Sequence, residues 1–288
     1  MNYRHAFHAG NFADVHKHVA LTLILAHLRQ KPAAFRVIDT HAGAGRYDLQ
    51  AAEPSRSGEW RSGIAPLWQA ARQQDGTLSA DARALLAPYL AAIAALNPDG
   101  RLRLYPGSPL IVRGLLRGQD RLIACELEPQ AAAALKTLLA KSKNVKAIAI
   151  DGWTALRAYV PPKERRGLVL IDPPFEDPAE FSQLANGFAA AYRKWPTGIY
   201  MLWYPIKDRA GADGLARRLA ELKAASVLRC EMMMAPPRAD AALAGSGLVV
   251  VNPPHTLEAD LRIVLAAIAP VLSPAASVRL DRLARRGM

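Results

Sequence analysis

The chain has 288 residues, 51% hydrophobic and 22% charged, which is the balance of a globular protein with a full core and excludes a disordered segment. Lys and Arg number 37 against 25 Asp and Glu, a net charge of +12 with a pI near 10.0, so the surface suits a polyanionic partner, nucleic acid first. No apolar run reaches membrane-spanning length, the opening MNYRHAFHAGNF is not a signal peptide, and Cys125 and Cys230 are expected in buried strands and unbridged. A cytoplasmic protein is expected.

Residues 1–12 are His-rich and aromatic without periodicity. From Ala13 a helix is expected, because Val15, Val19, Leu23 and Ala26 recur at helical spacing until Lys31-Pro32 ends it. Asp14, Lys17 and His18 fall in its first turns. His5, His8, His16 and His18 raise the question of a metal. The spacing puts His16 and His18 on different helix faces, and no carboxylate or Cys pattern accompanies them, so no metal is expected.

Phe35–Asp39 reads as a strand running into Thr40-His-Ala-Gly-Ala-Gly-Arg-Tyr47, where Gly43 and Gly45 let backbone approach a ligand. Asp48 stands where a dinucleotide fingerprint requires a third glycine, so a ligand without a pyrophosphate, such as S-adenosylmethionine, fits better. Residues 48–98 are Ala- and Leu-rich. Helices are expected near 64–73 and 80–96, after a loop at 54–63 with Arg56, Trp60 and Arg61; these, with Arg72, are candidate nucleic-acid contacts. Glu126, the next acidic strand end, comes 81 residues after Gly45, against about 20 in a continuous dinucleotide unit, so about 50–60 residues are inserted.

Gly107-Ser108-Pro109 is read as a helix start with Ser108 as N-cap. Arg121–Glu126 and Val145–Ile150 are strands whose ends carry Glu126, suited to ribose hydroxyls, and Asp151-Gly152, suited to an adenine amine. The basic loop 161–166 is expected near the target pocket. Leu168–Ile171 is a buried parallel strand stopped by Asp172-Pro-Pro-Phe175. There Asp172 and the Pro173 carbonyl can accept both hydrogens of an exocyclic amine while Phe175 stacks on the base. Further strands are expected at 198–205, 227–233 and 245–251, the last antiparallel, then a helix at 257–272 and a basic tail.

The order Asp39/Gly43/Gly45, Glu126, Asp151, Asp172-Pro-Pro-Phe resembles the S-adenosylmethionine-dependent methyltransferase fold of the amino-methylating type. The predicted class is therefore α/β: a doubly wound, Rossmann-like, seven-stranded, mostly parallel sheet with an antiparallel last strand. Residues 1–47 and 99–288 would form the methyltransferase domain, with 1–18 as an active-site head and 48–98 as a helical insertion. More narrowly, Tyr3–His18, Asp39–Tyr47, Tyr105-Pro-Gly-Ser-Pro109, Ile171–Glu176 and Trp203-Tyr-Pro-Ile-Lys207 resemble the bacterial 23S rRNA adenine-N6 methyltransferase J family, nearly end to end. The resemblance implies that His18, His41, Ser108, Glu126, Asp151, Gly152 and Asp172 contact S-adenosylmethionine. It implies that Asp172 is catalytic, and that Tyr3, His5 and Lys17 close over the site and engage the target adenosine. The expected partner is 23S rRNA, protein-free or in an early assembly intermediate, met by a monomer with no membrane. Phe175 departs from the Tyr common in that family but keeps the stacking face. Competing readings are guanine-N2 methylation of rRNA, adenine methylation of DNA, and a non-catalytic RNA-binding protein.

Overall fold

The computed structural model describes residues 4–73, 76–177, 179–222, 226–236 and 243–283. A 3-10 turn, His5–Phe7, leads into helix α1 (Phe12–Gln30). Asn11 caps α1: its side-chain oxygen accepts the Asp14 amide at 2.9 Å, satisfying one of the first-turn amides that no helical carbonyl can reach. Strand β1 (Arg36–Asp39) follows, then β2 (Arg46–Asp48), helices α2 (Ala52–Ser57), α3 (Ile64–Arg72) and α4 (Ala80–Ala94), and β3 (Leu104–Pro106). From there helices and strands alternate: α5 (Ser108–Leu115), β4 (Arg121–Glu126), α6 (Pro129–Leu139), β5 (Val145–Ala149), α7 (Gly152–Tyr159), β6 (Gly167–Ile171) and α8 (Glu180–Lys194). The chain continues with β7 (Ile199–Ile206), α9 (Arg209–Glu221), β8 (Val227–Met233), β9 (Gly245–Val251), α10 (Leu257–Leu272) and β10 (Ser277–Arg282).

One sheet runs in the order β10-β8-β9-β7-β6-β1-β4-β5, and β2 pairs with β3 apart from it. From β5 to β7 the neighbours are parallel; β9 is antiparallel to both β7 and β8, and β10 is antiparallel to β8. This is the expected doubly wound architecture, with β9 entering antiparallel as read. The sheet has eight strands, not seven. The extra one, Ser277–Arg282, lies in the expected basic tail. Its side chains are exposed or half-exposed, so no apolar run marks it; instead Arg229 of β8 donates to both oxygens of Asp281 directly opposite, at 2.9 and 2.7 Å.

Alternate residues divide the sheet into two apolar layers, since successive side chains of a strand point to opposite faces. Val37, Leu168, Leu170, Met201, Leu248 and Val250 face α1, α5, α6 and α10. Ile38, Val169, Ile171, Leu202 and Val249 face α7, α8 and α9. Helix α1 is buried along most of its length because the sheet lies on one side and α4 and α10 on the other. Ile64, Leu67, Leu86, Tyr89 and Ile93 of α3 and α4 join the first layer.

Two local expectations change. The 54–63 segment holds most of α2 and a second 3-10 turn, Glu59–Arg61, separated by Gly58 at φ +66°. The 161–166 loop lies away from the predicted target pocket. It precedes β6, so it sits at the amino ends of the strands, where Glu164 pairs with Arg36 at 2.8 Å and Arg166 donates to the Leu28 and Ala33 carbonyls.

Candidate active site

Parallel pairing places the carboxyl ends of β1, β4, β5 and β6 side by side, and with them Asp39, Glu126, Asp151 and Asp172. They border a cavity of about 310 Å³. Of the residues singled out from sequence, His5, Lys17, His18, His41, Gly43, Ser108, Glu126, Asp151, Gly152 and Asp172 line it. Gly45 and Pro173 are buried and are not among its lining residues. Phe175 packs beside the cavity against Phe181 and Trp203, with ring centroids 4.7 and 5.7 Å away. Tyr3 lies outside the described residues.

The floor is built from backbone. Gly43 and Gly45 adopt φ +62° and +77°, a conformation that costs an L side chain, and so turn the chain sharply after β1. The Gly43 amide donates to Glu126 Oε2 at 2.7 Å and the Glu128 amide to Oε1 at 2.8 Å, which fixes the Glu126 carboxylate at the cavity edge. Asp151 accepts the Thr154 amide at 2.8 Å and caps α7. A Cβ on Gly152 would lie 2.5 Å from His41 Nε2, so only glycine lets His41 and α7 meet. Ser108 departs from its expected capping role. Gly107 is the N-cap of α5, and the Ser108 hydroxyl donates to Asp39 Oδ2 at 2.7 Å.

The roof comes from the head and α1. Lys17 Nζ lies 2.9 Å from Asp14 Oδ1 and 2.5 Å from Asp172 Oδ2. Asp14 Oδ2 accepts the Gly10 amide at 2.9 Å and lies 3.2 Å from His5 Nε2. His18 Nδ1 is 2.8 Å from the Tyr105 hydroxyl, which lies 2.9 Å from that of Tyr89 on α4. Among the candidate nucleic-acid contacts, Arg72 is committed to the Gly100 carbonyl and the Trp68 ring, and the exposed Arg56 and Arg61 lie over Phe7 and Trp60.

Burial sets the protonation of these groups. It would push the Lys17 ammonium down, but Asp14 and Asp172 hold it well above its ordinary range. Burial works against Asp14 as well, and Lys17, His5 and His18 overcome it, keeping the carboxylate well below the usual range. Loss of water pushes His18 down to about 3 and His41 to about 4. It raises Asp39 to about 7, opposed by the Ser108 hydrogen bond. Asp39 Oδ1 is buried and makes no well-formed hydrogen bond, although the His41 amide is close enough to the carboxyl to oppose the rise. The sequence places Asp39 first in the order of strand-end acids, but its orphaned oxygen cannot be read from the chain. Asp14 and Tyr47 were not singled out as site residues. Among the described residues no group of three His, Cys, Asp or Glu could hold a metal ion, and no helix is long and apolar enough to cross a membrane.

A doubly wound sheet carrying its acids in this order along one edge is the fold of the Rossmann-like methyltransferases. Residues 32–282 match the family model described as ribosomal RNA large subunit methyltransferase D, RlmJ, and the chain belongs to that family. It is 40% identical over 275 residues to the ribosomal RNA large subunit methyltransferase J of Escherichia coli K12, covering 96% of this chain and 95% of that one. The Haemophilus influenzae protein of the same name is 39% identical, with 95% of each covered. A crystal structure of a Legionella pneumophila protein superposes with a TM-score of 0.86 at 34% identity, covering 95% of this chain and 98% of that one.

Proposed function

We propose that this chain transfers a methyl group from S-adenosylmethionine to N6 of one adenine in 23S rRNA. The observation that carries the reading is Asp172: it follows the buried strand β6, opens on the cavity, and is held there by Lys17. The relatives' names support ribosomal RNA as the substrate, as does the charge of +12.

The residues present fit the cofactor. Glu126 has two oxygens fixed by backbone amides and lone pairs left over for ribose hydroxyls, and Asp151 can accept an adenine amine. His41 and Gly152 would flank the adenosine, and Gly43 and Gly45 let backbone come close. Asp39 Oδ1 is a buried acceptor on the carboxylate whose Oδ2 holds Ser108, and a methionine ammonium would satisfy it. When bound, S-adenosylmethionine supplies a methyl group activated by its sulfonium.

The chain's own part is to bind and orient the amine. An adenine N6 lone pair is delocalised into the ring and attacks poorly. With Oδ2 of Asp172 tied to Lys17, Oδ1 and the Pro173 carbonyl are the acceptors for its two hydrogens, and they favour the pyramidal, localised form. Phe175 supplies the stacking face. Asp172 accepts the proton that the amine loses. His5 closes the head over the base, which must leave its stack at a cost of about a few kcal/mol. Residues 48–98 act as a helical insertion beside the methyltransferase domain.

The test is methyl transfer from labelled S-adenosylmethionine to protein-free 23S rRNA lacking the modification, followed by nucleoside chromatography. Label in N6-methyladenosine is expected. Label in N2-methylguanosine, or in DNA only, would overturn the assignment.

A further inference from the structure

Helix α1 also carries His16, a histidine that the cavity does not use. His16 is fully buried, with Nδ1 3.0 Å from Ser246 Oγ on β9 and Nε2 3.1 Å from Cys230 Sγ on β8. Loss of water pushes it down to about 3, so the ring is neutral. Trp203 on β7 donates its indole N–H to the same Ser246 Oγ at 2.9 Å. The register brings these groups together. Leu248 pairs with both Trp203 and Cys230, and Ser246, two residues along β9, faces the same side of the sheet.

Counting protons fixes the direction of this chain of bonds. Ser246 Oγ accepts from Trp203 and has one hydrogen to give. Giving it to His16 Nδ1 places the ring proton on Nε2, which donates to Cys230. The opposite tautomer would leave the buried serine proton without an acceptor, a larger loss than leaving the weak thiol donor unused. The relay therefore anchors the Trp203 indole to α1, β8 and β9.

The other side of Trp203 meets the active site. Its ring stands edge-on to Phe175 at 5.7 Å and 71°, with Lys17 Nζ 5.9 Å from its centroid. Phe175 is held at φ +54°, a left-handed conformation that a bulky L residue adopts only when its surroundings impose it. The rings of Trp203 and Phe181 pack against its side chain in that conformation.

We propose that Trp203 is a positioning residue for methyl transfer, anchored by the Ser246–His16–Cys230 relay and acting through Phe175. The inference rests on the reading of Phe175 as the platform for the target base. Trp203, Ser246 and His16 do not line the cavity, so their effect falls on the transfer step and not on cofactor binding.

The test is Ser246→Ala, which removes the acceptor for the indole N–H with little change in volume. Turnover on 23S rRNA at saturating cofactor and RNA should fall about tenfold, with S-adenosylmethionine affinity unchanged by calorimetry. Trp203→Leu, which removes the ring edge itself, should cost more and serves if Ser246→Ala folds poorly. In a Phe175→Ala background neither substitution should slow the enzyme further. Wild-type turnover in both variants, losses that add fully to that of Phe175→Ala, or a parallel loss of cofactor affinity would overturn the inference. If Phe175→Ala itself turns over normally, the platform reading falls first; if it is slow while the other two are not, this inference alone falls.

Discussion

The Lys17 ammonium bridges Asp172 at 2.5 Å and Asp14 at 2.9 Å, so one buried cation ties the first turns of α1 to the carboxyl end of β6. The side chains of Lys17 and Asp14 are 5% and 2% exposed, where a lone charge is costly and a paired one is held firmly. The contact fixes Asp172 through Oδ2, and in the proposed reaction Oδ1 is left for the amine.

Replacing Lys17 with Met should therefore do two separable things. Leaving the buried Asp14 carboxylate without its ammonium partner, with the Gly10 amide and His5 still beside it, should cost about 3–5 kcal/mol of stability, and loss of the Asp172 partner should lower turnover about 100-fold. Adding Asp14→Asn should restore most of the melting temperature and little of the turnover. Thermal unfolding and single-turnover methyl transfer on both variants separate the two effects.

Acid should destabilise the protein through three histidines. His16 and His18 are pushed down to about 3 and His41 to about 4, while the unfolded chain holds them near 6.5. Below 6.5 the unfolded state therefore binds more protons, and stability falls as pH falls from about 6.5 towards 3. Unfolding by denaturant across that range should show the decline, and His16→Asn should reduce its slope.

Asp39 gives a slope of the opposite sign. Its folded carboxyl is raised to about 7, so stability is lost as pH rises from the ordinary carboxylate range to about 7. A methionine ammonium at Oδ1 would favour the ionised form. Cofactor affinity should accordingly rise as pH passes about 7 in the native protein and become flat and weaker in Asp39→Asn. Calorimetric titration with S-adenosylhomocysteine at several pH values checks this.

Gly152 is where α7 approaches His41 without a side chain between them. Gly152→Ala would put a methyl 2.5 Å from His41 Nε2 and 2.6 Å from the Thr40 carbonyl, and overpacking of this kind costs about 1–3 kcal/mol. His41 should be displaced, weakening cofactor binding at least tenfold while RNA affinity is kept. Filter binding of RNA beside calorimetry of the cofactor distinguishes the two.

What could be read from the chain follows its physics. β1, β4 and β6 are short apolar runs ended or followed by an acid, and those acids fall at one edge in any parallel sheet. β10 is held by an Arg–Asp fork in place of an apolar run, and α2 contains Pro54 and two serines, so neither advertises itself. The 161–166 loop is close to Asp172 in sequence but not in space, because strand β6 separates them. The Lys17–Asp172 contact joins residues 155 positions apart. No local pattern could place it, nor could one show that Asp39 is left with an unpaired oxygen.

The most direct measurement is labelled methyl transfer to 23S rRNA by the native protein and by Asp172→Asn, side by side, with cofactor affinity measured on both. The account predicts N6-methyladenosine from the native protein and a loss of turnover of at least about 100-fold in the variant, while S-adenosylmethionine is still bound. Normal turnover by Asp172→Asn, or label on a base other than adenine, would contradict it.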